Sequence, residues 1–391
     1  MGLLRRVLII GTGGTIASEP TPGGYAPLRN DAFFRRIRQH PQLSDPDSLS
    51  SRSGTATPTF SSPVETVPVG KNIRYPTLRT PVLDEHGARV EYEILDLDRH
   101  LDSSEMTPAE YNIIASLLEE NWDLYEGFVI LSGTDTLAYT ASILSFLFTN
   151  PGKPITITGA QIPLSQPRSD GWTNLLDSLY VAGVLPYAGV GIVFHHQVFH
   201  GCRATKTSPN LFNAFQTPCV PPLINLNVKI THQSRLPPRS SALPPRIIPL
   251  ATSPTVISAS IHPGITGTLL AAQIDAVPTC RAVILSAYGS GNLPISEEAG
   301  ILGALRKAVD KEILVVVISQ CPIPNVYPLY TQGRTLLEIG VLPGYDLTHE
   351  AAFAKLLWLV SRKDLTFKNR QELFQIPVTG EMSVEGGARG L

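Results

Sequence analysis

Two glycine-flanked threonine turns hold most of the chemistry this sequence offers. VLIIGTGGTIAS, from Val7 to Ser18, sets Thr12 and Thr15 in a turn at the end of an apolar run, and VILSGTDT does the same with Thr134 and Thr136. Glycine permits backbone angles closed to other residues and lets the chain approach a ligand closely. Such a turn serves either as a phosphate cradle or as the seat of a nucleophile. The cradle fits poorly: a dinucleotide fingerprint needs three small positions, and although Gly11 and Gly13 supply two, the third falls on Ile16. The acidic residue expected after a second strand is also missing, since Asp31 lies in LRNDAFFRR, which reads as helix or loop. No Walker loop is present.

A threonine hydroxyl needs a base or a cation beside it before it attacks carbon. The chain has no GxSxG elbow, and FHHQVFHG lacks the HExxH glutamate, with Gln197 in that place. His195, His196 and His200 read as strand or hairpin residues. The nearer base is Lys206 in GCRATKTSPN, which acts as one if burial and a partner lower its pKa. Asp135, next to Thr134, is placed to orient it.

The elements that must hold these groups alternate as in an α/β protein. RVLII is a strand ending at Gly11, followed in turn by VEYEILDLD, GFVIL, PITITG and GVGIVF, with helical stretches between them. One helix start is fully specified: Thr107 as N-cap, Pro108 at the first helical position and Glu110 closing a capping box. The pattern predicts a larger N-terminal domain over 1–231, a mostly parallel, doubly wound, flavodoxin-like sheet, and a smaller C-terminal α/β domain over 255–391. The Pro/Ser-rich stretch 232–254 reads as a linker, and the aperiodic stretch 41–78 as a flexible surface insertion. Ligands of such sheets bind outside the carboxyl ends of the strands, so the two threonine turns face one crevice if their strands are neighbours.

The chain is 391 residues long with a formal net charge of −2 and no basic run, which leaves no footprint for nucleic acid or an anionic membrane. No apolar stretch reaches the roughly 20 residues of a spanning helix. The four cysteines, Cys202, Cys219, Cys280 and Cys321, lack CxxC spacing, which argues against a zinc site and fits the cytoplasm. A small neutral partner is expected, with no metal and no cofactor.

TGGTIAS, DSSEMTP, SGTDT, SQPRSDGWTNLL, GCRATKT and YGSGNLP occur in the order and approximate spacing of the L-asparaginase/glutaminase family, and the sequence resembles its cytoplasmic, type I branch from Val7 to about Ser361. The resemblance implies that Thr15 attacks the side-chain amide of L-asparagine and forms an acyl-enzyme, assisted by Tyr25 on the following loop. It implies that Thr134, Lys206 and Asp135 form a proton-handling cluster, and that Asp102, Ser103 and Ser104 surround the α-carboxylate. A buried carboxylate such as Asp135 suits the α-ammonium. Asn292 matches a residue that reaches a neighbouring subunit's site, which implies a homodimer or homotetramer. Asp170 and Asn174 match the family as supports of a sheet-to-helix junction. Ser132 stands where the family commonly has histidine. Two alternatives stay open: a catalytically idle amino-acid sensor, and the glutaminase subunit of a tRNA-dependent amidotransferase, for which an extra N-terminal domain is expected and Gly11 lies close to Met1.

Overall fold

The computed structural model describes residues 4–28, 31–45, 66–69, 71–98, 100–233, 236–240, 247–253, 255–327 and 331–384. The apolar runs form strands buried on both faces, as expected where helices cover a parallel sheet on either side. Leu4–Gly11 lies at the centre, pairing in parallel with Arg89–Asp96 on one side and Gly127–Leu131 on the other. Pro154–Thr158 and Gly189–Phe194 extend the parallel set beyond Gly127–Leu131. Numbered along the chain, these five strands run 2-1-3-4-5 across the sheet, the flavodoxin-like order. Shorter antiparallel strands flank them, making eleven in this sheet among the described residues.

Side chains alternate across a strand, so the first strand feeds two cores. Leu8 and Ile10 join a cluster with the helices Pro108–Glu120 and Leu137–Leu147, whereas Val7 and Ile9 face Phe33, Phe34 and Leu175. The predicted capping box is present: the Glu110 carboxylate accepts from the Thr107 backbone N–H at 2.9 Å. Helix Leu137–Leu147 is buried almost all round, because helix His349–Ser361 of the second domain packs on its outer side. That explains an apolar run with no polar face.

The stretch 41–78 is not a loose insertion throughout. Val67–Val69, Asn72–Arg74 and Leu78–Arg79 are strands, the latter two pairing antiparallel with Arg89–Asp96, and Tyr75 and Leu78 are buried. These strands are too short for a period to show in the sequence. Residues 46–65 lie outside the described residues. In the stretch 232–254, Arg239 donates to the carbonyls of Val181, Ala182, Leu185 and Glu126, and so docks its segment on the first domain.

The second domain is a four-stranded parallel sheet of Val256–Ser260, Ala282–Ala287, Leu314–Ser319 and Leu342–Pro343. Its helices include Gly267–Asp275 and Phe367–Phe374, which the sequence pattern does not single out. Among the described residues no helix is long and apolar enough to cross a membrane.

Candidate active site

The sheet changes direction of winding at Leu4–Gly11, and the loops that leave this strand and its two neighbours carry the predicted groups. Gly13 and Gly14 take φ of 112° and 81°, a region that disfavours side chains. A Cβ on Gly14 would fall 2.4 Å from the Gly133 nitrogen, and one on Gly133 would fall 2.4 Å from Ser103 Oγ. The TGGT, SGTDT and DSS turns therefore meet in direct contact. Glycine is required where they touch.

This packing sorts the four hydroxyls. Thr12 is buried and donates to the Leu131 carbonyl at 2.8 Å, and Thr136 donates to the Ser103 carbonyl at 2.8 Å. Both are committed to holding backbone. Thr15 opens a short 3₁₀ turn, Thr15–Ala17, and is half-buried; its hydroxyl enters no hydrogen bond among the described residues. Thr134 is 7% exposed and receives a hydrogen bond from Lys206 Nζ at 2.8 Å.

Lys206 also donates to Asp135 Oδ1 at 2.8 Å, with its side chain 17% exposed and that of Asp135 68% exposed. Asp135 is thus not the buried carboxylate expected: it follows Gly133 and Thr134 in the turn, and its side chain is exposed. The strand bearing the lysine, Thr205–Lys206, is fixed from the second domain. Thr205 donates to Glu350 Oε1 at 2.7 Å, and the nearly buried Arg203 donates to Asp346 and to the Gly380 carbonyl.

Asp102 accepts from the Ser104 N–H at 3.0 Å, and Ser103 is buried against Gly133 while Asp102 and Ser104 are exposed. Tyr25 lies on a hairpin, Ser18–Thr21 with Gly24–Pro27, that continues directly from the Thr15 turn. It is 54% exposed, and its hydroxyl accepts from Gln166 Nε2 at 3.3 Å. Asn292 is not joined to this cluster; its backbone pairs with Tyr288 in a turn of the second domain.

Asp170 accepts from the backbone of Gln161 and Ile162 and from Asn174, which also holds the Gly159 carbonyl and the His195 N–H. Both brace the junction after Pro154–Thr158. His195 and His196, with φ of 49° and 59°, form the turn of a hairpin. Ser132 is buried, its N–H donating to the Thr158 carbonyl.

Two features escape the sequence pattern. Gln161 reaches Thr134 from the next loop. His100, whose Cβ lies beside Gly13, pairs with Asp96 at 3.5 Å, and that hydrogen bond raises its pKa. Neither stands in a repeated spacing, so only the fold reveals them. No cluster of metal-binding side chains occurs among the described residues.

The chain belongs to the asparaginase family. The family model "Asparaginase, N-terminal" matches residues 6–237, and "Glutaminase/Asparaginase C-terminal domain" matches residues 255–374. The sequence is 33% identical over 380 residues to the L-asparaginase of Dirofilaria immitis, covering 97% of this chain and 60% of that protein. It is 31% identical over 384 residues to the 60 kDa lysophospholipase of Mus musculus, covering 98% of this chain and 64% of that protein. The chain thus spans less than two thirds of the length of these relatives. The crystal structure of L-asparaginase I from Vibrio cholerae superposes with a TM-score of 0.78 at 31% identity, covering 97% of this chain and 99% of that one.

Proposed function

We propose that this chain is an L-asparagine amidohydrolase that releases L-aspartate and ammonia through an acyl-enzyme on Thr15. One observation carries the reading: the Lys206 side-chain nitrogen lies between the Thr134 hydroxyl and the Asp135 carboxylate, 2.8 Å from each, and the turn bearing Thr134 and Asp135 is in contact with the Thr15 turn. Binding an amino acid does not require that arrangement. Proton transfer does.

In the reaction, Thr15 Oγ1 attacks the side-chain amide carbon, and its proton passes toward the Thr134–Lys206 pair. Backbone N–H groups of the glycine turns stabilise the oxyanion, and a proton returns to nitrogen as ammonia leaves. Water then attacks the ester, with the same pair as base. The exposed Asp135 carboxylate faces the substrate's α-ammonium, and the Asp102–Ser104 turn faces its α-carboxylate. Tyr25 closes with its hairpin over the nucleophile. Asn292 completes the site of a neighbouring copy in a homodimer or homotetramer. The cysteines are all free, which suits the cytoplasm. Minor glutaminase activity is expected, because one methylene is worth only about 1–3 kcal/mol in a pocket.

Ammonia release from L-asparagine and L-glutamine by the wild type and Lys206→Ala tests this. The reading expects release from L-asparagine that Lys206→Ala suppresses by about a hundredfold or more. A wild type that binds L-asparagine but releases no ammonia supports an idle sensor instead. Fatty-acid release from lysophosphatidylcholine without ammonia release supports the activity named for the mouse relative.

A further inference from the structure

The Thr134 hydroxyl has a second partner. Its hydroxyl donates to Gln161 Oε1 at 3.4 Å, while Gln161 Nε2 donates to the carbonyls of Pro209 and Leu211 at 3.1 and 3.0 Å. Those two carbonyls fix the amide's orientation, because only the NH₂ end can face them. The carbonyl end is left for Thr134. Gln161 is itself held from behind: Asp170 accepts from its backbone N–H with both carboxylate oxygens, each at 3.0 Å.

A hydroxyl has one proton to give. When Lys206 is an ammonium it donates to Thr134 Oγ1, so the Thr134 proton has to point elsewhere, and Gln161 Oε1 is the acceptor it meets. When Lys206 has lost a proton, the Thr134 O–H turns to donate to Nζ and gives up Gln161. The glutamine therefore favours one of the two arrangements.

We propose that Gln161 is a positioning residue for catalysis: its side-chain carbonyl holds the Thr134 proton while Lys206 is charged, and its NH₂ group ties that hydroxyl to the 209–211 loop just beyond the lysine. This rests on the reading of Thr134 and Lys206 as the proton-handling pair. No bond to carbon changes at Gln161. During acylation, which starts from the uncharged amine, the Thr15 proton passes to Thr134 as the Thr134 proton passes to Lys206, and Gln161 Oε1 then accepts from the hydroxyl beside the newly charged lysine.

The charged and titratable groups around Lys206 come from several elements. Asp135 pairs with it from the SGTDT turn, and Glu350 binds the adjacent Thr205 from helix His349–Ser361. Asp170 lies behind Gln161, and Arg203 precedes the strand, paired with Asp346. None of these is altered by substituting Gln161.

The test is the pH profile of kcat/KM for ammonia release from L-asparagine by the wild type, Gln161→Met and Gln161→Glu, with thermal unfolding to verify that each variant folds. Gln161→Met removes the acceptor, so the uncharged amine is favoured: the limb reporting proton loss moves to lower pH by about half a unit, and kcat falls about tenfold with KM within about twofold. Gln161→Glu keeps the acceptor and adds charge, moving the same limb to higher pH. Midpoints that stay put in both variants, or that move the same way, overturn the proposal. Thr15→Ala is the control. If it works at the parent rate, the acyl-enzyme reading falls; if it is inactive while the Gln161 variants match the parent, only this inference falls.

Discussion

Gly14 lies against Gly133 so closely that a Cβ on Gly14 would sit 2.4 Å from the Gly133 nitrogen and 2.5 Å from its Cα. This contact joins the turn of the proposed nucleophile to the turn bearing Thr134 and Asp135, across the point where the sheet reverses its winding. Backbone stands on both sides of it, and Gly14 also has φ of 81°. No rotamer change relieves a substitution here.

Gly14→Ala is therefore expected to cost roughly 2–4 kcal/mol of stability and to abolish turnover, since the turns must part to admit the methyl group. Denaturant unfolding together with ammonia release checks both effects. Gly24→Ala, where a Cβ meets nothing within 4 Å though φ is 115°, should show only the smaller cost of strain.

Lys355 and Glu381 form an ion pair whose side chains are both fully buried, at 2.6 Å, and Lys355 donates as well to the Ile376 carbonyl. Glu381 also accepts from the N–H groups of Val378 and Thr379, so the pair clasps the segment 376–382 onto helix His349–Ser361. Lys355→Met leaves a buried carboxylate without its cation and is expected to destabilise the fold by about 3–5 kcal/mol. Replacing both residues, by Lys355→Met with Glu381→Leu, should recover part of that loss. Urea midpoints of the two variants check this.

Burial, together with nearby Arg203, pushes the His200 imidazole down to about 4, and burial likewise lowers His349, which bridges Tyr139 and Ser258 between the domains. For a base with a depressed folded value, the unfolded chain binds the proton more readily. The stabilisation is therefore present above the unfolded value near 6.5 and is lost as pH falls toward 4. Each histidine contributes a slope of up to about 1.4 kcal/mol per pH unit within its window. Melting temperatures between pH 7 and 4.5 should fall steeply in the wild type and less so in His349→Gln; equal slopes would contradict this origin.

Local chemistry made part of the site legible. The Thr107 capping box and the glycines of TGGT and SGTDT depend only on neighbours in sequence, and alternating strands and helices suffice to place both turns at strand ends. The ordered family resemblance singled out Lys206, whose own surroundings in the sequence are unremarkable. What could not be read depends on long-range packing. Asp135 is exposed because of how its turn leaves the sheet, Thr12 and Thr136 are occupied by carbonyls far along the chain, and Gln161 meets Thr134 only because the loop after Pro154–Thr158 folds back over it. The strands between Val67 and Arg79 gain their order from Arg89–Asp96 and not from any period of their own.

The most direct measurement is kcat/KM for L-asparagine in Thr15→Ala and, separately, in Thr12→Ser, which keeps the hydroxyl that holds the Leu131 carbonyl. Thr15→Ala is expected to lose about four orders of magnitude while folding normally, and Thr12→Ser to stay within about tenfold of the wild type. A Thr15→Ala enzyme that releases ammonia at the wild-type rate would contradict the account.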